Sequence, residues 1–284
     1  MGWVRNTSAE VASRSRYPLV ISVCATSTAL IILVIVLRGY HCLHINDRGR
    51  RSFYALCLSV NHHSLTWTHG MQASVIVYNT LAVLETRLGL GLPLVIVSEI
   101  NEERYILLEF VGRLMDILAR AGYNLALSFT ALEYLANANL PTYHRIIWLA
   151  ISVIALAHIS SFLVLLLHCR PIKKVWIPTT EGRCFAAGSL LYGTSGATLA
   201  CNLVAIILPI RKLCSLRLGR AKQVSIVGYN LLGLLTPVCS VIRICQINTM
   251  LENGDPTMFV VWGVAEICVG VSTDRVFLIK TMPY

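Results

Sequence analysis

Glu109, Arg113, Asp116 and Arg120 fall at i, i+4, i+7 and i+11. At about 100° per residue this spacing stacks them on one helical face. Their signs alternate, so each has an opposite partner three or four residues away. The rest of the stretch 105–136 is dominated by Ile, Leu, Val, Phe and Ala and is long enough to cross a bilayer. A charged stripe cannot face acyl chains cheaply, so it belongs on the inside of a helix bundle. One chemistry open to it is acid catalysis, in which a buried carboxyl protonates an epoxide or olefin of a lipophilic substrate and starts a cyclisation or isomerisation. Asp116 and Glu266 are the candidate acids, followed by Glu109 and Glu85. Arg113, Arg120 and Arg243 oppose that chemistry, since a guanidinium competes for the carboxylate as an ion-pair partner, but they could hold polar groups of a substrate. Tyr123, Tyr192, Tyr229 and Trp262 could line the pocket and steady cationic intermediates through their ring faces. Two plainer readings stand beside this one. The charges could be structural ion pairs, Arg243 with Glu266 for example, or residues 102–120 could form an amphipathic helix lying at the membrane interface.

The elements that must position these groups follow from hydropathy. The chain has 284 residues, 56% of them apolar and only 13% charged, which is richer in apolar residues than soluble domains are. Stretches near 19–37, 71–88, 106–136, 146–167, 188–210, 224–247 and 258–280 are each long enough to span about 30 Å of hydrocarbon. The expectation is an all-α polytopic membrane protein, a seven-helix bundle over 19–280, with an outer or lumenal tail at 1–18 and a short cytoplasmic end at 281–284. The region 38–70, with His41, His44, His62, His63 and His69, reads as a cytoplasmic or interfacial loop. Its histidines lack the ligand pattern of a metal site, so no metal is expected. Gly89-Leu-Gly91-Leu-Pro93 breaks the second helix, Glu99–Glu103 reads as an acidic turn, Pro209 closes the fifth helix, and Pro237 sits mid-span in the sixth.

The net charge of +10 does not point to nucleic acid, because the basic residues gather at membrane boundaries. Arg211, Lys212, Arg217, Arg220 and Lys222 separate the fifth and sixth spans, whereas 248–257 has no Lys or Arg. The positive-inside rule then sets the N-terminus outside and the C-terminus in the cytoplasm, with Arg170, Lys173, Lys174 and Arg183 running against it. This parity brings Glu85, Glu109, Arg113, Asp116, Arg243 and Glu266 to one depth range, the outer half of the bundle. Asn6-Thr7-Ser8 is a glycosylation sequon on the tail expected outside. Most of the ten cysteines lie in apolar segments and behave as small hydrophobes. Cys169 and Cys184 instead bracket a loop expected outside, where they are either bridged or two free thiols.

An ordered set of residues extends this reading: Cys169-Arg170-Pro171, Trp176, Pro178, Gly182 and Cys184, then Leu208-Pro209-Ile210, Arg243, Asp255-Pro256-Thr257, Trp262, Glu266 and Gly270. From Tyr143 to about Asp274 the chain resembles the fungal seven-transmembrane rhodopsin-domain family, which includes mycotoxin-cluster proteins of the satratoxin type and pathogenicity receptors. Asn202 stands where that family carries an Asp, and Trp67-Thr68-His69-Gly70 lacks the acids of its Asp-Asp-Tyr motif. The resemblance implies a membrane protein of fungal secondary metabolism that handles a lipophilic intermediate, beside other enzymes of its pathway. Receptors of the family have long cytoplasmic tails and this sequence ends at Tyr284, so the pathway role is the first expectation. A receptor-like sensor and a metabolite or ion carrier are the alternatives. No cofactor motif is present, and retinal is disfavoured because Lys280, the last helix's single lysine, lies four residues from the chain end.

Overall fold

The computed structural model describes residues 3–4, 15–44, 62–92, 99–136, 141–177, 179–213 and 220–281. Among these are seven long helices: α1 (Tyr17–His44), α2 (His62–Leu88), α3 (Glu99–Ala136), α4 (Pro141–Leu166), α5 (Ala187–Leu213), α6 (Arg220–Asn253) and α7 (Thr257–Thr281). Between α4 and α5 lies a small hairpin, β1 (Cys169–Arg170) and β2 (Arg183–Cys184), with a short 3₁₀ turn at Ile172–Val175. Helices that follow one another in the chain pack together, and α7 closes the ring against α1. α3 is the hub, touching α2, α4, α5 and α7.

Among the described residues, four helices carry stretches long and apolar enough to cross a membrane: Tyr17–Val36, Thr142–Leu166, Ala187–Ile207 and Leu232–Asn253. Their outward faces are apolar. On α4, Leu149, Val153, Leu156, Ile159 and Leu163 are all exposed, an arrangement that water would oppose and acyl chains favour. α2, α3 and α7 spend part of their length on polar residues because they bury those residues against one another, which weakens their hydropathy while the bundle supplies the apolar exterior. The protein is an integral, multi-pass, all-α membrane protein.

Several boundaries differ from the sequence expectation. The 38–70 segment is not one loop: α1 continues through His44 and α2 begins at His62, so all five histidines sit on helical backbone. Hydropathy missed these turns because they are polar enough to leave hydrocarbon, which does not stop a helix. Glu99–Glu103 is the first turn of α3 rather than a separate turn, as suits acids at the positive end of a helix dipole. α5 likewise runs past Pro209 to Leu213. Asn6, Pro93 and Pro178 lie outside the described residues. α6 contains Pro237, and the carbonyl of Gly233 that its missing N–H would have bonded accepts instead from the Thr236 hydroxyl at 2.7 Å.

The termini at one end of the bundle are firmly tied. α2 stops where Gly89 and Gly91 take positive φ, 140° and 106°. A Cβ on Gly91 would lie 2.7 Å from the Ser15 hydroxyl, so the segment before α1 can pack directly on this turn. Trp3 donates from Nε1 to Thr86 Oγ1 at 3.0 Å, lies under the Arg87 guanidinium and stacks on Tyr17. Gly254 ends α6 in the left-handed region, Asp255 Oδ1 accepts from the Thr257 N–H at the start of α7, and Pro256 needs no donor there. Cys169 and Cys184 are disulfide-bonded and pair across β1 and β2, with Phe110 of α3 against Trp176.

Close approach of α3 to its neighbours depends on small residues. A Cβ on Gly122 would come within 2.6 Å of Met71 on α2, and one on Gly270 within 2.9 Å of the Tyr123 ring. Gly270→Ala is therefore expected to destabilise the α3–α7 contact by about 1–3 kcal/mol. The thermal midpoint of the purified protein in detergent checks this, and an unchanged midpoint would show that the contact is looser than described.

Candidate functional site

The stripe on α3 faces inward, towards α5, α6 and α7, so the interfacial-helix reading gives way to a central one. Asp116 and Arg120 form an i, i+4 pair on α3, with Arg120 Nη2 donating to Asp116 Oδ1 at 2.5 Å. From α7, Glu266 places Oε2 3.5 Å from Arg120 Nη1. From α6, Arg243 reaches both acids, with Nη2 3.6 Å from Asp116 Oδ2 and Nη1 3.4 Å from Glu266 Oε2. Two cations and two anions thus close a square across three helices. All four residues are buried, Glu266 completely. The formal charge sums to zero, which is the condition under which such groups can be held away from water.

The second oxygen of Glu266 gathers neutral donors. Oε1 accepts from Ser240 Oγ at 2.6 Å, from Asn202 Nδ2 at 2.8 Å and from the Tyr123 hydroxyl at 3.3 Å. Tyr123 also lies 2.6 Å from Asn202 Oδ1, its shorter contact. Asn202 Nδ2 donates its other proton to Ser240 at 2.9 Å. Asn124 extends the network, donating to Asn202 Oδ1 at 2.9 Å and meeting Nε2 of His158 on α4 at 3.3 Å. Since the Asn124 amide is the donor there, His158 accepts through Nε2 in this arrangement. The Arg243 guanidinium also covers the Phe259 ring at 4.2 Å. Gly263 leaves room for this assembly, because a Cβ there would lie 3.2 Å from Arg120 Nη2.

Of the sequence candidates, the structure brings together Asp116, Glu266, Arg120, Arg243, Asn202 and Tyr123. Glu109 and Arg113 form their own pair at 2.5 Å, half-buried and apart from the square. Glu85 is buried against α3 near them, where a Cβ on Gly112 would be 3.0 Å from its Oε1. The single chamber expected at one depth is therefore two clusters on successive turns of α3. Tyr192, expected to line a pocket, is exposed on the outside of the bundle because its position on α5 faces away from α3. Trp262 is half-buried and makes no hydrogen bond among the described residues. The Tyr229 side chain lies outside the described residues.

Asn124, Ser240 and His158 were not singled out from the sequence. Asn124 continues the α3 stripe one turn beyond Arg120, and Ser240 precedes Arg243 by three residues, so helical spacing could have found both. His158 carries only the weaker signal of a polar residue inside a very apolar span. Among the described residues, no group of three or more His, Cys, Asp and Glu comes together in a way that could hold a metal.

The family model for the fungal rhodopsin domain matches residues 59–274. That match covers most of the chain and every residue of the charged and amide network described above, and the chain belongs to this family. No curated protein and no solved structure matches it.

Neutralising one corner of the square leaves a buried charge without its partner. Asp116→Asn is expected to cost about 3–5 kcal/mol. The double variant Asp116→Asn with Arg243→Gln, which restores zero net charge, is expected to cost less than the sum of the two single changes. Thermal midpoints of the three variants in detergent test this; strict additivity would mean that the square is not an interacting unit.

Proposed function

We propose that the chain is a receptor-like seven-helix membrane sensor whose α3–α6–α7 charge square is a two-state latch. The observation that carries this reading is the asymmetry of the square. If the 238–253 half of α6 moves, Arg243 leaves both acids, yet Arg120 still holds Asp116 at 2.5 Å and Glu266 at 3.5 Å. Each carboxylate then keeps one guanidinium while the open state carries one uncompensated negative charge, and Pro237 offers a bending point six residues before Arg243. A lipophilic small molecule arriving from the bilayer supplies the differential contact that selects one state. In this reading the N-terminus and the Cys169–Cys184 hairpin lie on the outer or lumenal side, where a disulfide persists. Arg211–Lys222 lies on the cytoplasmic side, as a surface for a signalling partner.

The same geometry counts against Asp116 and Glu266 as general acids. Each carboxylate has two guanidinium groups within 3.6 Å, so each is engaged as an anion rather than poised to give up a proton. A place in fungal secondary metabolism is the second reading, and it rests only on what the family resemblance of the sequence implies. Under it the lipophilic ligand is a pathway intermediate, and deleting the gene alters the metabolite profile of the producing strain.

The latch is tested with spin labels at Leu251 on α6 and Leu163 on α4, both exposed. The unmodified chain is expected to give one dominant distance. Arg243→Gln adds a second, longer population while the fold is retained. An unchanged distance distribution in Arg243→Gln sinks the latch.

A further inference from the structure

The apolar span of α4 ends at Leu166 and that of α5 begins at Ala187, so the hairpin between them lies where hydrocarbon gives way to lipid headgroups. From Cys169 to Cys184 the sequence holds Arg170, Lys173, Lys174 and Arg183 against a single acid, Glu181. Arg170 and Arg183 stand directly opposite each other in the strand pair, and both are exposed. Like charges facing each other across a ladder destabilise it. Among the described residues no carboxylate forms an ion pair with either guanidinium. The two arginines cannot easily splay apart. The Cys169–Cys184 disulfide locks the adjacent rung, the Phe185 N–H donates to the His168 carbonyl at 2.9 Å, and Lys174 Nζ donates to the Gly182 carbonyl at 2.7 Å. A Cβ on Gly182 would collide with the Arg170 carbonyl, so glycine is what lets the two sides of the hairpin come this close. The rim is apolar: Leu167 is 47% exposed, Ile172 37% and Phe185 71%.

We propose that this hairpin is a docking site for anionic phospholipid, with the headgroup phosphate taken by Arg170 and Arg183 and the acyl chains lying along α4 and α5. A phosphate between the two guanidinium groups removes the repulsion that the strand register imposes. Each planar fork also matches phosphate oxygens in a bidentate contact. Lys173, exposed on the turn after β1, and Lys174 add to the attraction between basic residues and an anionic membrane surface. A soluble anion gains nothing from the apolar rim. A lipid does, because Leu167 continues the exposed face of α4 from Leu163, and Phe185 lies two residues before α5. An acidic protein segment answers the charge but not the position at the hydrocarbon boundary. The site shares no residue with the charge square, so it and the latch stand or fall separately.

The test uses the full chain in detergent micelles, titrated with phosphatidylglycerol or with phosphatidylcholine of the same acyl chains and read by native mass spectrometry. Phosphatidylglycerol is expected to bind about tenfold more tightly. Arg170→Gln combined with Arg183→Gln abolishes that preference, whereas Arg145→Gln, at an exposed arginine near the opposite end of α4, leaves it intact. Thermal midpoints add a readout that a purely structural role would not give. Without phosphatidylglycerol the double variant melts no lower than the unmodified chain, since it loses a like-charge opposition, and only the unmodified chain is raised by the lipid. Should the double variant fail to fold, Arg183→Gln alone is read, with an expected loss of about fivefold in preference. Equal affinity for the two lipids in the unmodified chain overturns the proposal and leaves an acidic protein segment as the hairpin's partner. An undiminished preference in the variant overturns it too. So does full competition by water-soluble glycerol phosphate, which would show a site for soluble anions.

Discussion

Everything in this bundle is arranged around the need to keep four charges paired where water cannot reach them. Asp116, Arg120, Arg243 and Glu266 satisfy one another only if α3, α6 and α7 hold one register. A shift of one residue along any of these helices rotates a side chain by about 100° and breaks the square. Apolar packing alone does not impose such precision in a membrane, because lipid tails are as apolar as the side chains they would replace. Polar groups supply it. The clasp from Asn79 on α2 to Ser27 and Thr28 on α1 does the same on a smaller scale.

That constraint explains the small residues. Glycines at 112, 122, 263 and 270 each lie where a Cβ would press on a neighbouring helix. They draw α2 and α7 close to α3, and Gly263 makes room for the Arg120 guanidinium itself. Once the helices are this near, long side chains such as Arg243 and Tyr123 can bridge them with short contacts. The outward faces of α1, α4 and α6 can then be almost wholly apolar, because the polar work is done inside.

Two clusters on one helix divide the labour. The square is complete within the protein, with each charged group facing an opposite one, and suits a latch that opens and closes. The group one to two turns nearer the hairpin is smaller, a half-buried Glu109–Arg113 pair with Glu85 buried beside α3. Membership of the fungal rhodopsin-domain family is consistent with this architecture but does not choose among the activities it could serve.

The sequence by itself determined the fold class. Seven apolar stretches, the broken turn at Gly89–Gly91 and the cap at Asp255-Pro256 are local facts, set by hydropathy and backbone chemistry within a few residues. The spacing of Glu109, Arg113, Asp116 and Arg120 also determined that one face of α3 is inward. Helix ends were less legible: polar turns such as 38–44 and 62–70 leave hydrocarbon while staying helical, so hydropathy underestimates them. Only the tertiary structure decided which charges meet. Asp116 and Glu266 are 150 residues apart in the chain, and whether Arg243 reaches both depends on the rotation and approach of three helices. It likewise set Tyr192 outside and drew Glu85 against Gly112 of α3, since a neighbour on another helix has no signature in the local sequence. Periodicity fixes the face on which a charge lies, and packing fixes what that face meets.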